Sequence, residues 1–279
     1  MNSAPALPVT TATMLVNGVE SAMVDARDRG LHYGDGLFET IACRAGRPRW
    51  LEAHLQRLTL GAERLGLQLP DAALLRAELA QLAAGQQRCL LKLIVTRGLA
   101  TARGYAPTGD EQPTRILSRH AWPEAAPAPF RVAYSRVPLA ENPLLAGIKH
   151  LNRLEQVLAQ RELAGSALQE LLMCTAAGAV VCGSMSNLFL CEEAGLATAD
   201  LQACGVAGVT RARVLRAAEA LGIRVRIGTL TVAEVAAAGG AFLCNVRLGL
   251  QPVDWLAGRS LQRDLRLKAL ERWVDDDRH

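Results

Sequence analysis

Strand-like and helix-like segments are mixed in both halves of this 279-residue sequence, on either side of a proline-rich break. The break, residues 119–130, reads RHAWPEAAPAPF and has three prolines and no apolar periodicity, which is typical of a linker. Neither half repeats a regular strand–helix–strand unit, which argues against a single doubly wound sheet. We therefore predict an α+β architecture with a loose tail at 1–12, a small domain at 13–118 and a larger domain at 131–279.

Local periodicity places individual elements in these two halves. Helices are predicted at 51–65, 72–84, 152–163 and 209–221. Strands are predicted at 14–16, 37–43, 89–96, 131–137, 170–174, 179–182, 187–191 and 241–246. The third helix is predicted with Leu151, Leu154, Val157 and Leu158 on one face.

Charge and cysteine usage narrow the possible functions. The net charge is +4, from 31 Lys and Arg against 27 Asp and Glu, and no basic block favours nucleic-acid binding. Seven cysteines stand at irregular spacings without a CxxC motif, so we expect reduced thiols in the cytoplasm and no metal site. No apolar run is long enough to span a bilayer, and the N-terminus lacks a signal-peptide pattern. We therefore expect a soluble protein without a membrane or nucleic-acid partner.

The segment YGDGLFETI (Tyr33–Ile41) contains a G-x-G pair. A dinucleotide-binding loop needs a preceding strand, a following helix and a third glycine. Here strand-forming residues follow the pair, and the third glycine is missing. We therefore predict a tight turn that leads into a strand.

Two other features could bind a phosphate. GVAGVTR (residues 205–211) puts Thr210 at the start of a predicted helix, where free N–H groups and the helix dipole favour anions. The same threonine can be an ordinary helix cap. Arg57 lies between Leu55 and Leu58, and it can either extend to solvent or bind a phosphate. The residues alone leave both pairs of alternatives open.

Lys149 stands in AGIKHLNRLEQVLA (Ala146–Ala159), between a small apolar turn and a predicted helix. A lysine near an apolar surface can have a lowered pKa and react with an aldehyde as a nucleophile. Most lysines are instead solvated surface charges. The chain offers no Ser-His-Asp order, HExxH motif or P-loop as another catalytic centre.

Five motifs occur in the order found in one known family: DRGLHYGDGLFETI, EAHLQRL, GIKHLNRLEQVLA, CGSMSNLFL and GVAGVTR. From about residue 14 to residue 253, the chain resembles the fold-type IV pyridoxal-phosphate enzymes. These include branched-chain and D-amino acid aminotransferases and aminodeoxychorismate lyases. AGIKHLNRLEQVL, TARGY and TRILS resemble the lyases most. The resemblance implies a small and a larger domain, with pyridoxal 5'-phosphate between them, usually in a homodimer.

The resemblance also implies roles for particular residues. Lys149 matches the family's Schiff-base lysine. Arg57 matches its phosphate-binding arginine. Val209 and Thr210 match the start of its phosphate-binding helix.

Further residues match the family's pattern less directly. Asn245 and Val246 fall where a second phosphate-contacting turn is expected, and Tyr33 falls where an aromatic side chain often lines the substrate pocket. Three arginines are candidates for binding substrate carboxylates, on charge and position alone: Arg97, Arg103 and Arg247.

One position departs from the family's pattern. The family has Glu-x-x-x-x-Asn, and its glutamate pairs with the ring nitrogen of the cofactor. Here the segment runs from Cys182 to Asn187, so a cysteine stands in place of the glutamate. A carboxylate keeps the ring nitrogen protonated and makes the ring a strong electron sink, whereas a thiol with a pKa of about 8.5 is mostly neutral at pH 7. We expect Cys182 to face the ring nitrogen.

The resemblance implies a lyase that eliminates pyruvate from aminodeoxychorismate and yields 4-aminobenzoate for folate biosynthesis. A branched-chain or D-amino acid aminotransferase is the alternative within the family. A catalytically silent binding protein on the same scaffold is the alternative from another class, because of Cys182.

Overall fold

The computed structural model describes residues 13–100 and 103–276, so the predicted tail at 1–12 lies outside the described residues. Two separate β-sheets organise the described part of the chain. The last strand of the first sheet ends at Ala121 and the first strand of the second begins at Arg131. The first sheet therefore includes the first three residues of the predicted linker, 119–130. Within the described ranges, no helix is both long and apolar enough to cross a membrane.

The N-terminal sheet is antiparallel, with the strand order β2-β1-β6-β5-β3-β4. Its strands are β1 (Met14–Val16), β2 (Val19–Glu20), β3 (Gly36–Arg44), β4 (Arg47–Pro48), β5 (Arg88–Thr96) and β6 (Thr114–Ala121). The helices of this half are α1 (Arg29–Tyr33), α2 (Leu51–Leu65) and α3 (Ala72–Ala83). Apolar side chains of α2 and α3 pack on the sheet and form the first core, which includes Leu37, Leu58 and Leu79.

The C-terminal half contains a larger, mostly antiparallel sheet. Its strands are β7 (Arg131–Tyr134), β8 (Glu170–Cys174), β9 (Ala179–Gly183), β10 (Asn187–Glu192), β11 (Gly195–Ala199), β12 (Val225–Gly228), β13 (Leu230–Thr231), β14 (Gly240–Asn245), β15 (Gly249–Pro252), β16 (Trp255–Leu256) and β17 (Arg259–Ser260). Its helices are α4 (Leu154–Leu163), α5 (Val209–Ala220), α6 (Val232–Ala237) and α7 (Leu267–Asp275). The two-domain α+β fold predicted from the sequence is thus confirmed.

Several predicted elements are found where local pattern placed them. The bounds of α2 match the prediction, and Gly66 ends the helix in the left-handed conformation that a glycine adopts without steric cost. The G-x-G segment is a turn: Gly34 closes α1 and Gly36 begins β3. The dinucleotide alternative for that segment is excluded, because a strand rather than a helix follows it.

The apolar face of α4 is uncovered within the described residues. Leu154, Val157 and Leu158 are exposed, and Ala159 is the buried residue of the helix. The helix also begins two residues later than predicted, at Leu154. An apolar face predicts burial against some surface, and within the described monomer that surface is absent.

Candidate active site

Lys149 lies where the two halves of the chain meet. Ile148 is buried in the N-terminal core, and the backbone that follows it is bonded to β3. The Phe38 amide donates to the Lys149 carbonyl at 2.9 Å, and the Leu151 amide donates to the Gly36 carbonyl at 3.0 Å. These contacts place a lysine of the C-terminal half against the sheet of the N-terminal half.

The ammonium of Lys149 has an unusual environment. Its Nζ lies 4.2 Å from the centre of the Phe38 ring. Burial, together with the positive charges of Arg57 and Arg153, lowers the pKa of Lys149 to about 7, against the opposing effect of the Glu39 carboxylate. A large fraction of Lys149 is therefore a neutral amine at neutral pH, which is the form that acts as a nucleophile or a base.

Arg57 belongs to a buried cluster with Glu39 and His54. Its Nε donates to Glu39 Oε1 at 2.8 Å, its Nη2 donates to Glu39 Oε2, and its Nη1 donates to the Ala207 carbonyl at 3.0 Å. His54 Nδ1 lies 2.6 Å from Glu39 Oε2. Burial by itself raises the pKa of Glu39, but Arg57 and His54 outweigh it and hold the pKa at about 2. Glu39 is therefore ionised, and Arg57 is held inside the protein.

The start of α5 faces the same region and lacks a side-chain cap. Its N-cap is Gly208, and Thr210 is buried inside the first turn. The Thr210 hydroxyl has no hydrogen-bond partner among the described residues. The alternative that Thr210 is an ordinary cap is therefore wrong. The first helical N–H groups and this hydroxyl form a set of donors suited to an anion.

The loop before α5 is fixed by two contacts. The Asn187 amide donates to the Val206 carbonyl at 3.0 Å, and a Cβ on Gly208 would lie only 2.1 Å from Asn187 Oδ1, so the position needs glycine. The loop is also tied to the lysine segment, because the Ala207 amide donates to the Gly147 carbonyl at 2.9 Å. Arg57, the start of α5 and Lys149 are thereby joined into one site.

Cys182 lies on β9 opposite Asn187 of β10. It is buried in an apolar cluster with Leu139, Met173 and Cys204. Burial raises its pKa to about 12, so the thiol is neutral at neutral pH. The expectation that this position carries no anion thus agrees with its surroundings, while its orientation toward a cofactor ring stays a prediction.

The charge of Glu170 also raises the pKa of this thiol, and the oxygens of its carboxylate are occupied. They accept from the Ser184 amide at 3.1 Å, the Met185 amide at 3.3 Å and the Ser186 hydroxyl at 3.1 Å. Glu170 therefore holds the loop between β9 and β10 and does not stand in for the missing glutamate.

Arg153 is a cation whose charge lowers the pKa of the Cys182 thiol, and no motif in the sequence pointed to it. Its Nε donates to the His150 carbonyl at 2.9 Å and its Nη2 to the Ile148 carbonyl at 3.3 Å. Burial lowers its pKa to about 10, and the Cys182 thiol acts in the opposite direction. Arg153 thus holds the backbone on both sides of Lys149.

Asn245 and Val246 lie at the end of β14, next to the loop that Glu170 holds. Asn245 Nδ2 donates to the Met185 carbonyl at 3.0 Å, and its Oδ1 accepts from the Arg247 and Leu248 amides at 2.9 and 2.7 Å. The Asn245 side chain therefore shapes the turn itself. A phosphate contact from this turn remains a prediction and would have to come from the backbone.

Tyr33 lines a cleft of about 260 Å³, together with Asp35, Tyr105, His150 and other residues. Its ring lies 5.3 Å from that of Tyr105. His150 directly follows Lys149 in the chain, and the role of Tyr33 in substrate binding stays a prediction.

Two of the candidate arginines, Arg97 and Arg103, differ in the hydrogen bonds and ion pairs that they make within the protein. Arg103 is exposed on the loop beside the Tyr33 cleft. Arg97 is tied to Asp35 at 2.8 and 3.1 Å and to the carbonyls of Leu65 and Gly66. Arg103 is therefore the freer of the two for a substrate carboxylate.

Glu39 and His54, like Arg153, were not anticipated from the sequence. Glu39 is a single acidic residue within the apolar strand GLFETIACR, and His54 and Arg57 are three residues apart on α2. An acidic residue in a buried strand requires a cationic or hydrogen-bonding partner, and that signal could have led to the cluster.

Comparison with known proteins assigns the chain and its fold to a class. A model of the amino-transferase class IV family matches residues 36–255, and the chain belongs to this family. Members of the family use pyridoxal 5'-phosphate. The donors at α5, Arg57 and the partly buried amine of Lys149 fit the phosphate and the aldehyde of such a cofactor.

Particular relatives resemble the chain along most of its length. The aminodeoxychorismate lyase of Vibrio harveyi is 30% identical and covers 92% of this chain and 96% of its own. A crystal structure of 4-amino-4-deoxychorismate lyase from Pseudomonas aeruginosa is 46% identical, with a TM-score of 0.88, and covers 94% of this chain and 98% of its own. A branched-chain aminotransferase from Thermoproteus uzoniensis, solved with norvaline, has a TM-score of 0.82 at 23% identity, covers 94% of this chain and 93% of its own, and shares the fold.

Proposed function

We propose that this chain is a pyridoxal-phosphate-dependent 4-amino-4-deoxychorismate lyase, which releases pyruvate and forms 4-aminobenzoate. The observation that carries the proposal is Lys149, a partly buried lysine with a pKa of about 7 joined through the 205–208 loop to an anion site at α5 and Arg57. The lyases of Vibrio harveyi and Pseudomonas aeruginosa, each similar to this chain over more than 90% of its length, support the choice of reaction.

The cofactor would lie between two parts of the site. The phosphate end comprises Arg57, the amide of Val209 and Thr210. The ring end comprises Cys182 and Arg153. When bound, pyridoxal phosphate supplies an aldehyde that condenses with primary amines and a ring that withdraws electrons from the attached carbon.

Lys149 has two tasks in this mechanism. As a neutral amine, Lys149 would hold the aldehyde carbon of bound pyridoxal phosphate, and it would yield that position to the substrate amine. The freed Lys149 Nζ removes the proton from the carbon that bears the substrate amine, as a general base. A base with a pKa close to the working pH suits this step, and burial gives Lys149 such a pKa.

Elimination completes the reaction. The bond between the ring carbon and the enolpyruvyl oxygen breaks, its electron pair leaves with the oxygen, and protonation of the enolpyruvate yields pyruvate. The carbocycle becomes aromatic, and this supplies much of the driving force. The step therefore needs less electron withdrawal by the cofactor ring than transamination does. A neutral Cys182 is consequently less harmful to a lyase than to an aminotransferase.

The test is a direct assay of pyruvate release from aminodeoxychorismate, combined with borohydride reduction and peptide mapping. We expect stoichiometric pyruvate and 4-aminobenzoate, with the label on Lys149. Transfer of the amino group to a keto acid without pyruvate release would instead support an aminotransferase. Failure to bind pyridoxal phosphate at all would support a silent scaffold protein.

We also propose that the protein is a cytoplasmic homodimer that serves folate biosynthesis. The exposed apolar residues of α4, Leu154, Val157 and Leu158, support a partner surface. The seven free thiols support a reducing compartment. Sedimentation of the wild type and of Leu154→Asp tests the dimer, and a wild type that sediments as a monomer would contradict it.

A further inference from the structure

Three of the five N–H donors of the Arg57 guanidinium are already hydrogen-bonded within the protein. A guanidinium has five N–H donors in one plane. Nε and one N–H of Nη2 go to Glu39, and one N–H of Nη1 goes to the Ala207 carbonyl. One N–H on each of Nη1 and Nη2 remains. Because the group is planar, fixing one edge on Glu39 also fixes the direction of these remaining donors.

The remaining donors lie beside the start of α5. Ala207, which accepts from Nη1, directly precedes the N-cap Gly208. Arg57 therefore reaches the anion site with its outer edge, while Glu39 holds the inner edge. An arginine without this carboxylate would have several rotamers available and would lose entropy when it binds a phosphate.

Glu39 is itself held by His54. His54 Nδ1 lies 2.6 Å from Glu39 Oε2, and both side chains are buried. Burial is the main reason that the pKa of His54 is lowered, so the ring is neutral and its Nδ1–H can donate to the carboxylate. His54 and Arg57 are three residues apart on α2, which puts both on the face toward β3.

We propose that Glu39, held by His54, is a positioning residue that orients Arg57 for the phosphate of the cofactor. This rests on the proposed function, because it takes pyridoxal phosphate as the ligand. Glu39 does not touch the phosphate, and it acts through the direction of the two guanidinium donors that remain.

A second buried pair in the same domain provides a matched control. Arg115 Nε donates to both oxygens of Glu78 at 3.0 and 2.9 Å. The side chains of Glu78 and Arg115 are 7% and 16% exposed, compared with 1% and 12% for Glu39 and Arg57. Among the described hydrogen bonds, none joins the control pair to α5 or to the Lys149 segment. Both pairs contribute to the fold, but only one adjoins the anion site.

The test compares pyridoxal 5'-phosphate with pyridoxal, which lacks the phosphate. Glu39→Asp keeps the charge but shortens the side chain by one methylene, so it disturbs orientation alone. We expect it to weaken pyridoxal phosphate binding by about tenfold or more, and pyridoxal binding by less than about threefold. Glu78→Asp should leave both affinities unchanged. In an Arg57→Ala background, Glu39→Asp should have no further effect.

Three outcomes would overturn the proposal: unchanged pyridoxal phosphate affinity in Glu39→Asp, equal losses for both ligands, or the same loss in Glu78→Asp. If Glu39→Asp does not fold, Glu39→Gln takes its place, since it keeps the shape and one acceptor; the same selective loss is expected. Failure of the proposed function is distinguishable in the wild type: a silent scaffold would not bind pyridoxal phosphate at Lys149, and an aminotransferase would bind it without releasing pyruvate, which leaves the Glu39 comparison of the two ligands intact.

Discussion

At the proposed phosphate end of the site, Arg57 is paired with a buried carboxylate, whereas Arg153 at the proposed ring end has no carboxylate partner at ion-pair distance within residues 13–100 and 103–276. Glu39 balances the first arginine and fixes its direction. The described hydrogen bonds of the second arginine go to backbone carbonyls, and its charge acts on a thiol whose pKa burial raises to about 12.

The different partners of Arg57 and Arg153 correspond to two different requirements of a cofactor site. Anchoring a phosphate requires fixed donors, and the phosphate end has them. Tuning the ring requires a charge next to its nitrogen, and the ring end offers a neutral thiol and a cation. We therefore expect changes at the phosphate end to alter cofactor affinity, and changes at the ring end to alter which reaction follows.

The largest expected effect is at Lys149, which serves both ends. Lys149→Ala removes the base and the amine that holds the aldehyde, so pyruvate release should fall by about 10²–10⁴-fold or more. The borohydride label should disappear from the peptide containing residue 149. Lys92→Ala is the control, since its ammonium also lies over the Phe38 ring, at 5.6 Å. A label that moves with Lys92 instead would refute the assignment of Lys149.

Arg57→Ala should weaken pyridoxal phosphate binding by about tenfold or more, because a charge-assisted contact to phosphate is worth roughly 1.5–3 kcal/mol. Arg57→Lys keeps the charge but loses the planar set of guanidinium donors, so we expect an affinity between those of the wild type and Arg57→Ala. Equilibrium dialysis of the cofactor measures both. Unchanged cofactor retention in Arg57→Ala would contradict the expectation that the phosphate end determines cofactor affinity.

Cys182→Glu tests the ring end. If Cys182 faces the ring nitrogen, the new carboxylate should raise transaminase side activity by about tenfold, with little gain in pyruvate release. Cys182→Ser controls for a change without an anion. A gain in pyruvate release by orders of magnitude would mean that the wild type is an impaired lyase. An unchanged cofactor spectrum would mean that Cys182 does not face the ring.

The smallest expected effect is on the free energy of unfolding. It depends on pH in opposite directions at the two ends of the site. The folded-state pKa of Glu39, about 2, lies below its ordinary 4.5, so its contribution is present above pH 4.5 and lost as pH falls toward 2. The pKa of Cys182, about 12, lies above its ordinary 9.0, so its contribution is present below pH 9.0 and lost as pH rises toward 12.

Thermal unfolding of the cofactor-free protein across pH measures both contributions. Glu39→Gln should differ from the wild type in how stability falls at acid pH, and Cys182→Ser in how it falls at alkaline pH. Identical acid limbs for Glu39→Gln and the wild type would show that this carboxylate is not held ionised by its neighbours.

Local pattern was sufficient for much of this protein. The helical spacing of apolar residues gave the bounds of α2, and the sequence around Val209 gave the start of α5. The motifs around Lys149 and Arg57 indicated the family, which the match over residues 36–255 confirms. These features depend on neighbours within a few residues, so they can be read from the order of side chains alone.

The tertiary structure decided how charges are shared. Glu39 is 15 residues from His54 and 18 from Arg57 along the chain, and the three meet only because α2 packs on β3. Likewise Arg153 meets Cys182 only when the lysine segment crosses between the two sheets. The apolar face of α4 was visible in the sequence, but its exposure was not. Periodicity indicates which residues are apolar on one face of an element. Which residues they contact depends on how segments that are distant in sequence pack together.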